Sequence, residues 1–334
     1  MIKEILKDIT IEPSLRAKEL ANRYGYRPYM IERYLNIMPE EEVIQLLEAF
    51  ERRLKPVIRC NDLRVNCDEL IKALSKLGFE LRPIKWSGIG YRVVKSPKSP
   101  TIGSTHEYLK GYYYVYRDAA SLIPPIVLDP KPGDVVLDMC AAPGGKATHT
   151  AQLMRGSGVV VANDISRRRV IALINHVKRL GLTNVIVTNY DARKLPKVIK
   201  LRFKKILLDA PCSAEGGIMF DPERKVKTSI NDLAMIIERE LSLLKAAIDM
   251  LEEGGVVVYT TCSIAPEENE YVITKVIESR DDVKVVEPNI NLWSRGIEEF
   301  HRLKFISDVR KCIRVWPHKH GMEGFFICTL RKIS

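Results

Sequence analysis

Two cysteines with similar neighbours each follow a predicted β-strand and are candidates for nucleophilic chemistry. Cys212 lies in the pentapeptide Asp-Ala-Pro-Cys-Ser that begins at Asp209, and Cys262 lies in Thr-Thr-Cys-Ser. Turns and helix ends beyond a buried strand can lower the pKa of a thiol and raise its thiolate fraction. A lone buried cysteine is usually a small apolar residue. Two cysteines in matching surroundings on adjacent predicted strands indicate covalent chemistry instead.

A glycine turn follows another predicted strand. Residues 135–146 read VVLDMCAAPGGK, which predicts a buried parallel strand, a tight turn and the start of a helix. Gly144 and Gly145 permit positive φ and let a ligand lie against bare backbone, and the N–H groups of the next helix point at that ligand. The spacing matches neither a phosphate loop nor GxGxxG. The stretch is typical of a cofactor site, with a plain tight turn as the alternative.

Polar side chains stand at five consecutive predicted strand ends. They are Asp138, Asp164, Asp191, Asp209 and Cys262. Ligands of doubly wound sheets bind outside the carboxyl ends of the strands, and a carboxylate about twenty residues beyond the glycine turn usually binds ribose hydroxyls, which is the spacing of Asp164. Each acid alone could cap a helix or close a turn. Together they predict a pocket.

The elements that would position these residues alternate between strand and helix from about residue 112 onward. Strands are predicted over 135–139, 159–164, 185–190, 204–210, 256–262 and 324–330, and helices over 148–154, 166–181 and 238–255. This alternation predicts an α/β fold with a doubly wound, mainly parallel sheet. The last helix is expected to close on Gly254 and Gly255.

The charge balance favours a polyanionic partner. The net charge of +11 and the isoelectric point near 9.2 make RNA the first candidate, although many basic proteins bind no nucleic acid. Basic clusters at 197–205 and 224–227 either hold phosphates or form solvated faces. No run approaches the ~18 apolar residues of a membrane helix, and the first residues do not read as a signal peptide.

Cysteine and histidine usage argues against metal and disulfide scaffolds. The seven cysteines are scattered and form no CxxC pair, so we expect neither a zinc ribbon nor a disulfide framework. A reducing cytoplasm is the expected location. His318 and His320 have no acid or cysteine nearby at metal-ligand spacing, and we expect a structural or RNA-lining role for them and no metal.

The N-terminal third predicts a smaller α+β module. Its predicted elements are helices over 15–26, 28–38, 39–54 and 67–79 and strands over 57–65, 80–86 and 91–96. A polar connector rich in Pro and Gly, residues 95–108, leads out of it. We therefore divide the chain into an N-terminal module, residues 1–110, and a larger domain, residues 111–334. The module either docks RNA or only extends and stabilises the core.

The motifs DMCAAPGGK, LLDAPCS and TTCSIAPEENE, in this order, closely resemble the Sun/Nop family of RNA cytosine-5 methyltransferases and, within it, the archaeal tRNA methyltransferases. The resemblance extends to YRDAASLIPP and to RVWPHKHGMEGFF, and so covers about residues 28–330. Met322 and Glu323 stand where members often have Thr-Asp. The resemblance implies a Rossmann-like class I methyltransferase sheet that uses S-adenosyl-L-methionine.

The resemblance also implies roles for individual residues. Cys262 would add as a thiolate to carbon 6 of cytosine, Cys212 would assist release of the product, and Asp209 would bind the base edge or steady a protonated ring nitrogen. The implied cofactor-binding residues are Cys140, Ala141, Ala142, Pro143, Gly144, Gly145, Lys146, Asp164, Arg169, Asp191 and Asp209. For Arg169 the alternative is membership of a solvated basic trio, residues 167–169.

The implied substrate is structured RNA whose target base is unpaired or flipped, because a stacked duplex base cannot reach a buried thiol. We place tRNA ahead of ribosomal RNA, since the chain has no long charged tail and no clear extra RNA-binding domain. One rival is a non-catalytic RNA-binding or assembly factor with a methyltransferase fold, which would need neither Cys212 nor Cys262. A second rival is methylation of an adenine amine or a protein side chain, which usually relies on an Asn/Asp-Pro-Pro-aromatic motif where this chain has DAPCS.

Overall fold

The computed structural model describes residues 1–290 and 292–333. The α-helices are α1 Ile2–Ile9, α2 Leu15–Tyr24, α3 Pro28–Ile37, α4 Glu40–Phe50, α5 Cys67–Lys76, α6 His106–Leu109, α7 Ile123–Leu128, α8 Gly145–Leu153, α9 Arg167–Leu180, α10 Leu195–Val198, α11 Arg224–Lys227, α12 Ile230–Asp249, α13 Glu270–Glu278 and α14 Pro317–His320. The strands are β1 Val57–Cys60, β2 Glu80–Ile84, β3 Gly90–Lys95, β4 Tyr113–Tyr116, β5 Val135–Asp138, β6 Val159–Asn163, β7 Val185–Thr188, β8 Phe203–Asp209, β9 Leu251–Thr261, β10 Val283–Val286, β11 Ser294–Arg295, β12 Glu299–Phe300, β13 Leu303–Lys304, β14 Ile313–Val315 and β15 Phe325–Lys332.

The chain divides into two compact units that interleave in sequence. We call residues 55–209 and 250–258 the parallel-sheet unit, and residues 1–54, 210–249 and 259–334 the thiol unit. The predicted boundary between residues 110 and 111 divides the chain into two consecutive segments, whereas these units interleave. That boundary stays a prediction.

The parallel-sheet unit contains the doubly wound sheet that the sequence predicted. Strands β8, β5, β6 and β7 lie side by side in that order, and the described registers of β5 with β6 and β8, and of β6 with β7, are parallel. Val136 and Leu137 of β5 are fully buried, which contributes about 1.5–3 kcal/mol for each side chain. Because α8 follows β5 and α9 follows β6, the strand ends open on loops that lead into helix N-termini. The predicted Rossmann-like methyltransferase architecture is confirmed.

A second, antiparallel sheet of the same unit has the order β2-β3-β1-β4 and packs with α5. It confirms the predicted strands and helix of the α+β region. Strand β1 is shorter than predicted, ending at Cys60, because Asn61 turns the chain away. The amide of Asn61 donates to the carbonyls of Gly111 at 2.9 Å and Leu180 at 3.0 Å.

The thiol unit begins with the predicted N-terminal helices. Helix α2 is capped by the Ser14 side chain, which accepts from the Ala17 amide, and it ends at Gly25 with φ +75°. Helices α2 to α4 enclose apolar side chains such as Tyr34 and Leu47, which belong to one cluster with Ile264. Strands β10 and β14 pair antiparallel with β15. The helices therefore contribute directly to the core of this unit.

The expectation of no disulfide framework was wrong. The structure contains the disulfides Cys60–Cys67 and Cys312–Cys328. The antiparallel register of β14 and β15, in which Ile313 faces Ile327, places Cys312 opposite Cys328. Cysteine spacing carries no such information, because the partners meet only in the folded chain.

The predicted end of the long helix was also wrong. Helix α12 ends at Asp249, and residues 251–255 already belong to β9. Gly254 takes φ +73°, and a Cβ on Gly255 would lie 3.0 Å from the carbonyl oxygen of Phe203. The two glycines thus serve an irregular strand that lies close to β8 rather than a helix cap.

Candidate active site

The glycine turn after β5 has the backbone that the sequence predicted. Gly144 has φ +114°, which side-chain-bearing residues rarely adopt. A Cβ on Gly145 would lie 2.8 Å from Cε1 of Tyr116. Helix α8 starts here, with the Thr148 amide donating to the Gly144 carbonyl at 2.9 Å. Both glycines are therefore required by the fold, because a side chain at either position would collide with Leu173 or Tyr116.

Asp164 and Arg169 are bound to this turn. Asp164 is 2% exposed, and its Oδ2 accepts a hydrogen bond from the Ala142 amide at 3.2 Å. Nη1 of Arg169 lies 3.5 Å from the same carboxylate oxygen, and the Arg169 guanidinium also donates to the Ala142 carbonyl. The neighbouring Arg167 and Arg168 are exposed. Arg169 is itself 50% exposed, but its pairing with Asp164 distinguishes it from a purely solvated residue.

Other predicted residues of the turn are placed by neighbouring strands. The Ala141 amide donates to the Asn163 carbonyl at 2.7 Å, which ties the loop to the end of β6. Burial raises the pKa of the Cys140 thiol well above its usual value, so this thiol is neutral. The Ala142–Pro143 peptide bond is cis.

Lys146 and Asp209, which the sequence assigned separately, form an ion pair. Lys146 Nζ lies 2.7 Å from Oδ2 of Asp209, with side-chain exposures of 12% and 31%. Lys146 is on the first turn of α8 and Asp209 ends β8. A carboxylate held by a lysine at a partly open strand end can present its second oxygen to a ligand.

Asp191 also lies past its strand, but its described hydrogen bonds are local. It accepts from the backbone and side chain of Arg193 and begins a short 3₁₀ helix. The hydrogen bond from the Arg193 side chain lowers the pKa of Asp191. These contacts match the alternative in which Asp191 caps a helix. A role for Asp191 in binding the cofactor stays a prediction.

Asp138 is the most deeply buried acid of the set. Its side chain is 0% exposed, and neither carboxylate oxygen has a hydrogen-bond partner among the described residues. Burial, and after it the charge of Asp209, raises the pKa of Asp138 to about 8. The side chain is therefore a neutral acid at pH 7, with an unmatched polar end close to the glycine turn.

This pKa gives a testable pH dependence of stability for Asp138→Asn. In the unfolded chain the carboxyl ionises near 3.8, whereas in the folded chain it keeps its proton up to about 8. The wild type therefore loses stability as the pH rises between these two values, by about 1.4 kcal/mol per pH unit. The asparagine variant lacks this loss, so its free energy of unfolding should exceed that of the wild type by a margin that grows from pH 5 to pH 8.

Urea unfolding at several pH values measures this margin, and Asp191→Asn is the matched control. The pKa of Asp191 is lowered rather than raised, so its titration lies below that window and the control difference should stay constant from pH 5 to pH 8. Parallel curves for Asp138→Asn and the wild type would contradict the assignment.

The two free cysteines of the thiol unit meet. Sγ of Cys212 lies 3.4 Å from Sγ of Cys262, within hydrogen-bond reach for sulfur. The loops are also joined by the Gly216 amide, which donates to the Cys262 carbonyl at 2.9 Å. The contact with Cys262, and after it burial, raises the pKa of the Cys212 thiol well above its usual value. The expected lowering of the thiol pKa was thus wrong for Cys212, whose thiol stays protonated near neutral pH.

No sequence pattern predicts that Arg33 supports these two loops. Arg33 is fully buried on α3, its Nη1 lies 2.6 Å from Glu215, and its Nε lies 2.9 Å from Glu267. The Tyr34 hydroxyl also donates to Glu215 at 2.6 Å. A paired, hydrogen-bonded buried cation of this kind is costly to break. Glu215 follows Cys212 by three residues and Glu267 follows Cys262 by five, so α3 holds both loops.

The sequence patterns also did not identify Arg59, of the parallel-sheet unit, as a residue that supports the site. It is fully buried on β1, and its guanidinium donates to the Gly145 carbonyl at 2.9 Å and to Thr148 Oγ1 at 3.0 Å. Tyr116 donates to the same carbonyl at 2.6 Å. Its described hydrogen-bond partners are neutral groups, and burial lowers the pKa of Arg59. Arg59 therefore fixes the first turn of α8. The sequence around residue 59 contains no pattern that predicts this role.

Several predicted RNA-binding residues have partners within the protein. Lys205 lies 3.3 Å from Asp134, and Lys225 lies 2.5 Å from Glu51. Lys227, in contrast, is exposed. Phosphate binding by the two basic clusters stays a prediction.

The two histidines hold local structure. His318 Nε2 lies 3.1 Å from Glu42, and His320 Nδ1 accepts from the Trp316 amide at 2.8 Å. These contacts agree with a structural role, which was one of the two roles expected for the histidines. The other, that they line an RNA-binding surface, stays a prediction.

A parallel sheet with a glycine turn after its central strand and acids at the neighbouring strand ends defines a class I methyltransferase. Comparison with known proteins narrows the class. Residues 125–331 match the family model described as 16S rRNA methyltransferase RsmB/F, and residues 28–116 match the N-terminal domain of 16S rRNA methyltransferase RsmF. The chain belongs to this family, which confirms the Sun/Nop assignment made from the motifs. S-adenosylmethionine is the cofactor of the family.

Individual relatives differ in substrate and in length. The chain is 38% identical over 322 residues to the human 28S rRNA (cytosine(4447)-C(5))-methyltransferase, covering 95% of this chain and 39% of that protein. It is 37% identical over 305 residues to the tRNA (cytosine(49)-C(5))-methyltransferase of Pyrococcus abyssi, covering 91% and 95%. A crystal structure of a methyltransferase homolog from Pyrococcus horikoshii is 33% identical with a TM-score of 0.85, covering 96% and 100%. The chain thus spans about two fifths of the human relative.

Proposed function

We propose that this protein methylates carbon 5 of cytosine in RNA with S-adenosylmethionine as the methyl donor. The observation that carries the proposal is the pair of thiols, Cys212 and Cys262, with their sulfur atoms 3.4 Å apart. Two free cysteines in such contact suit a reaction in which one thiol forms a covalent adduct and the other assists its breakdown.

Cys262 is the proposed nucleophile. Its thiolate adds to carbon 6 of cytosine, which turns the unreactive carbon 5 into an enamine carbon that can accept a methyl group. The carbon 5 proton then passes to solvent, its bonding electrons restore the double bond between carbons 5 and 6, and the carbon–sulfur bond breaks to return the Cys262 thiolate. Cys212 assists this release, because a thiol that stays protonated 3.4 Å away can hydrogen bond to the departing sulfur.

The parallel-sheet unit fits the cofactor. A Cβ would fill the turn at Gly144 and Gly145, Asp138 has a buried carboxyl without a partner among the described residues, and Asp164 has the position of a ribose-binding acid. When bound, the cofactor supplies an electrophilic methyl group. The residues proposed to hold it are Cys140, Ala141, Ala142, Pro143, Gly144, Gly145, Lys146, Asp164, Arg169, Asp191 and Asp209.

Asp209 has a second proposed role toward the base. Its Oδ2 is held by Lys146 at 2.7 Å, which leaves Oδ1 for an amino or protonated ring nitrogen of cytosine. A protonated ring is a better acceptor for the thiolate. Only Ala210 and Pro211 separate Asp209 from Cys212 in the sequence.

We place tRNA first among the RNA substrates. The support is the resemblance of the motifs to the archaeal tRNA methyltransferases, together with 37% identity over 305 residues to the tRNA enzyme of Pyrococcus abyssi. Ribosomal RNA is the second candidate, because the matching family model is described by 16S rRNA. Binding of either RNA through the N-terminal module, residues 1–110, is part of the proposal.

A cytoplasmic location accompanies this function. Within residues 1–290 and 292–333, no helix combines the length and apolar character needed to cross a bilayer. The two disulfides weigh against this location, since disulfides are rare in cytosolic proteins.

The deciding experiment offers labelled S-adenosylmethionine with total tRNA or ribosomal RNA in parallel, followed by bisulfite sequencing. We expect protected cytosines in the tRNA pool. Protection in ribosomal RNA alone would move the assignment to the second substrate. Cofactor binding without incorporation into either RNA would favour a non-catalytic RNA-binding factor with a methyltransferase fold.

A further inference from the structure

A buried carboxylate bonds to both loops that carry the thiols. Glu268 is 0% exposed, and its Oε1 accepts from the Ser213 amide at 2.6 Å. Its Oε2 accepts from the Ser213 hydroxyl at 2.6 Å and from the Ser263 hydroxyl at 2.5 Å. Ser213 directly follows Cys212, and Ser263 directly follows Cys262. The two hydroxyl oxygens lie 3.2 Å apart, so one side chain joins the residues next to the two sulfur atoms.

Glu268 is itself held in place. Its carbonyl accepts from the Tyr259 hydroxyl at 2.7 Å. The next residue, Asn269, donates to the Ser263 carbonyl at 3.0 Å and accepts from Thr261 Oγ1 at 2.7 Å. Burial raises the pKa of Glu268 to about 7, while hydrogen bonds from Ser213 and Ser263 act in the opposite direction. The three donors suit an ionised acceptor that is fixed before any substrate arrives.

We propose that Glu268 is the positioning residue that sets the separation of Cys212 and Cys262, by bonding the serine that follows each of them. The inference concerns the geometry of the thiols in the free protein. Only one consequence of the inference rests on the proposed function, namely that methyl transfer and product release depend on this geometry.

A second buried carboxyl supplies a matched control. Glu240 on α12 is also 0% exposed and belongs to the same unit, and neither of its carboxyl oxygens has a hydrogen-bond partner among the described residues. Glu240→Gln and Glu268→Gln therefore replace a carboxyl group by an amide at two buried sites, although burial raises the pKa of Glu240 well above its usual value and keeps that carboxyl protonated. Only the second change replaces an oxygen that accepts from Ser213 or Ser263 with an NH2 group that donates.

The test measures thiol geometry without RNA or cofactor. The intact protein is treated with dibromobimane, which bridges two thiols only when they are close, and the bridge between Cys212 and Cys262 is identified by peptide mass spectrometry. We expect Glu268→Gln to slow bridging about tenfold and Glu240→Gln to leave it within about twofold of the wild type. A misplacement of reacting groups by about 1 Å can cost on the order of 10²-fold in rate, so kcat for methyl transfer by Glu268→Gln should fall by about that factor with little change in KM for RNA.

Coupling between residues separates positioning from a general loss of stability. If Glu268 acts through the serines, the triple variant Glu268→Ala with Ser213→Ala and Ser263→Ala should bridge no more slowly than Glu268→Ala alone. Additive losses would contradict that route. Ser263→Ala alone keeps the test usable if the Glu268 variants do not fold, since it removes one of the three bonds and should slow bridging by a smaller factor.

The outcomes distinguish the two proposals. Unchanged bridging in Glu268→Gln and Ser263→Ala would overturn the positioning role, even if the wild type methylates RNA. Slower bridging in these variants, together with a wild type that methylates no RNA, would support the positioning role and count against the proposed function.

Discussion

Replacing Cys262 by alanine is expected to reduce methyl transfer by at least about 10³-fold, which corresponds to about 4 kcal/mol of transition-state stabilisation. The reason is that carbon 5 of cytosine does not attack a methyl donor until a nucleophile has added to carbon 6. Cys262 is a free cysteine of intermediate exposure, so the change removes one sulfur atom and should leave the fold intact. Methyl incorporation into RNA measures the loss.

Binding and stability controls make this result specific. The proposed cofactor residues lie in the parallel-sheet unit, whereas Cys262 lies in the thiol unit. Calorimetric titration should therefore give wild-type affinity for S-adenosylmethionine, and the melting temperature should change little. Cys262→Ser tests the chemistry further, because a hydroxyl of similar size is a much weaker nucleophile near neutral pH. Substantial methylation by either variant would remove Cys262 as the nucleophile.

The features of the site that were predictable from the sequence are local ones. The glycine turn and Asp164 follow from short patterns, because a strand, its turn and the next helix are contiguous in the chain. Asp209 and Cys262 were placed in the same way, as the residues that end buried strands. In each case the backbone geometry of a parallel sheet decides where the side chain lies.

The residues that hold the site together were not predictable, because their partners are distant in sequence. Arg33 bonds Glu267 across 234 residues, and Arg59 bonds the Gly145 carbonyl across 86. Each arginine lies on an ordinary amphipathic helix or short strand, where a solvated side chain is the usual expectation. The pairing of Cys312 with Cys328 depends in the same way on strand register and not on spacing.

Glu268 shows an intermediate case. It lies in the motif TTCSIAPEENE, which identified the family, yet the motif contains several acids and does not say which one faces the thiols. In the structure Glu267 pairs with Arg33, Glu270 pairs with Arg314 at 2.5 Å, and Glu268 bonds the two serines. Adjacent acids thus take different partners because successive residues of a turn point in different directions.

Replacing Cys212 by alanine is expected to trap a covalent complex between protein and RNA. The nucleophile Cys262 remains, so addition and methyl transfer proceed. Release slows because the protonated thiol 3.4 Å from the departing sulfur is gone. With radiolabelled RNA, a protein band that carries label and survives denaturing electrophoresis should accumulate, while turnover falls about 10²-fold or more, in the range typical for loss of a proton-transfer group.

The double variant Cys212→Ala with Cys262→Ala decides whether the trapped bond is the proposed one. It should form no labelled band, because the attacking sulfur is absent, and it should still bind S-adenosylmethionine. A labelled band in the double variant would assign the adduct to another nucleophile, of which Cys140 is the remaining free thiol. Normal turnover by Cys212→Ala with no labelled band would instead remove Cys212 from the release step, and the short contact between the two sulfur atoms would then serve only to pack the loops.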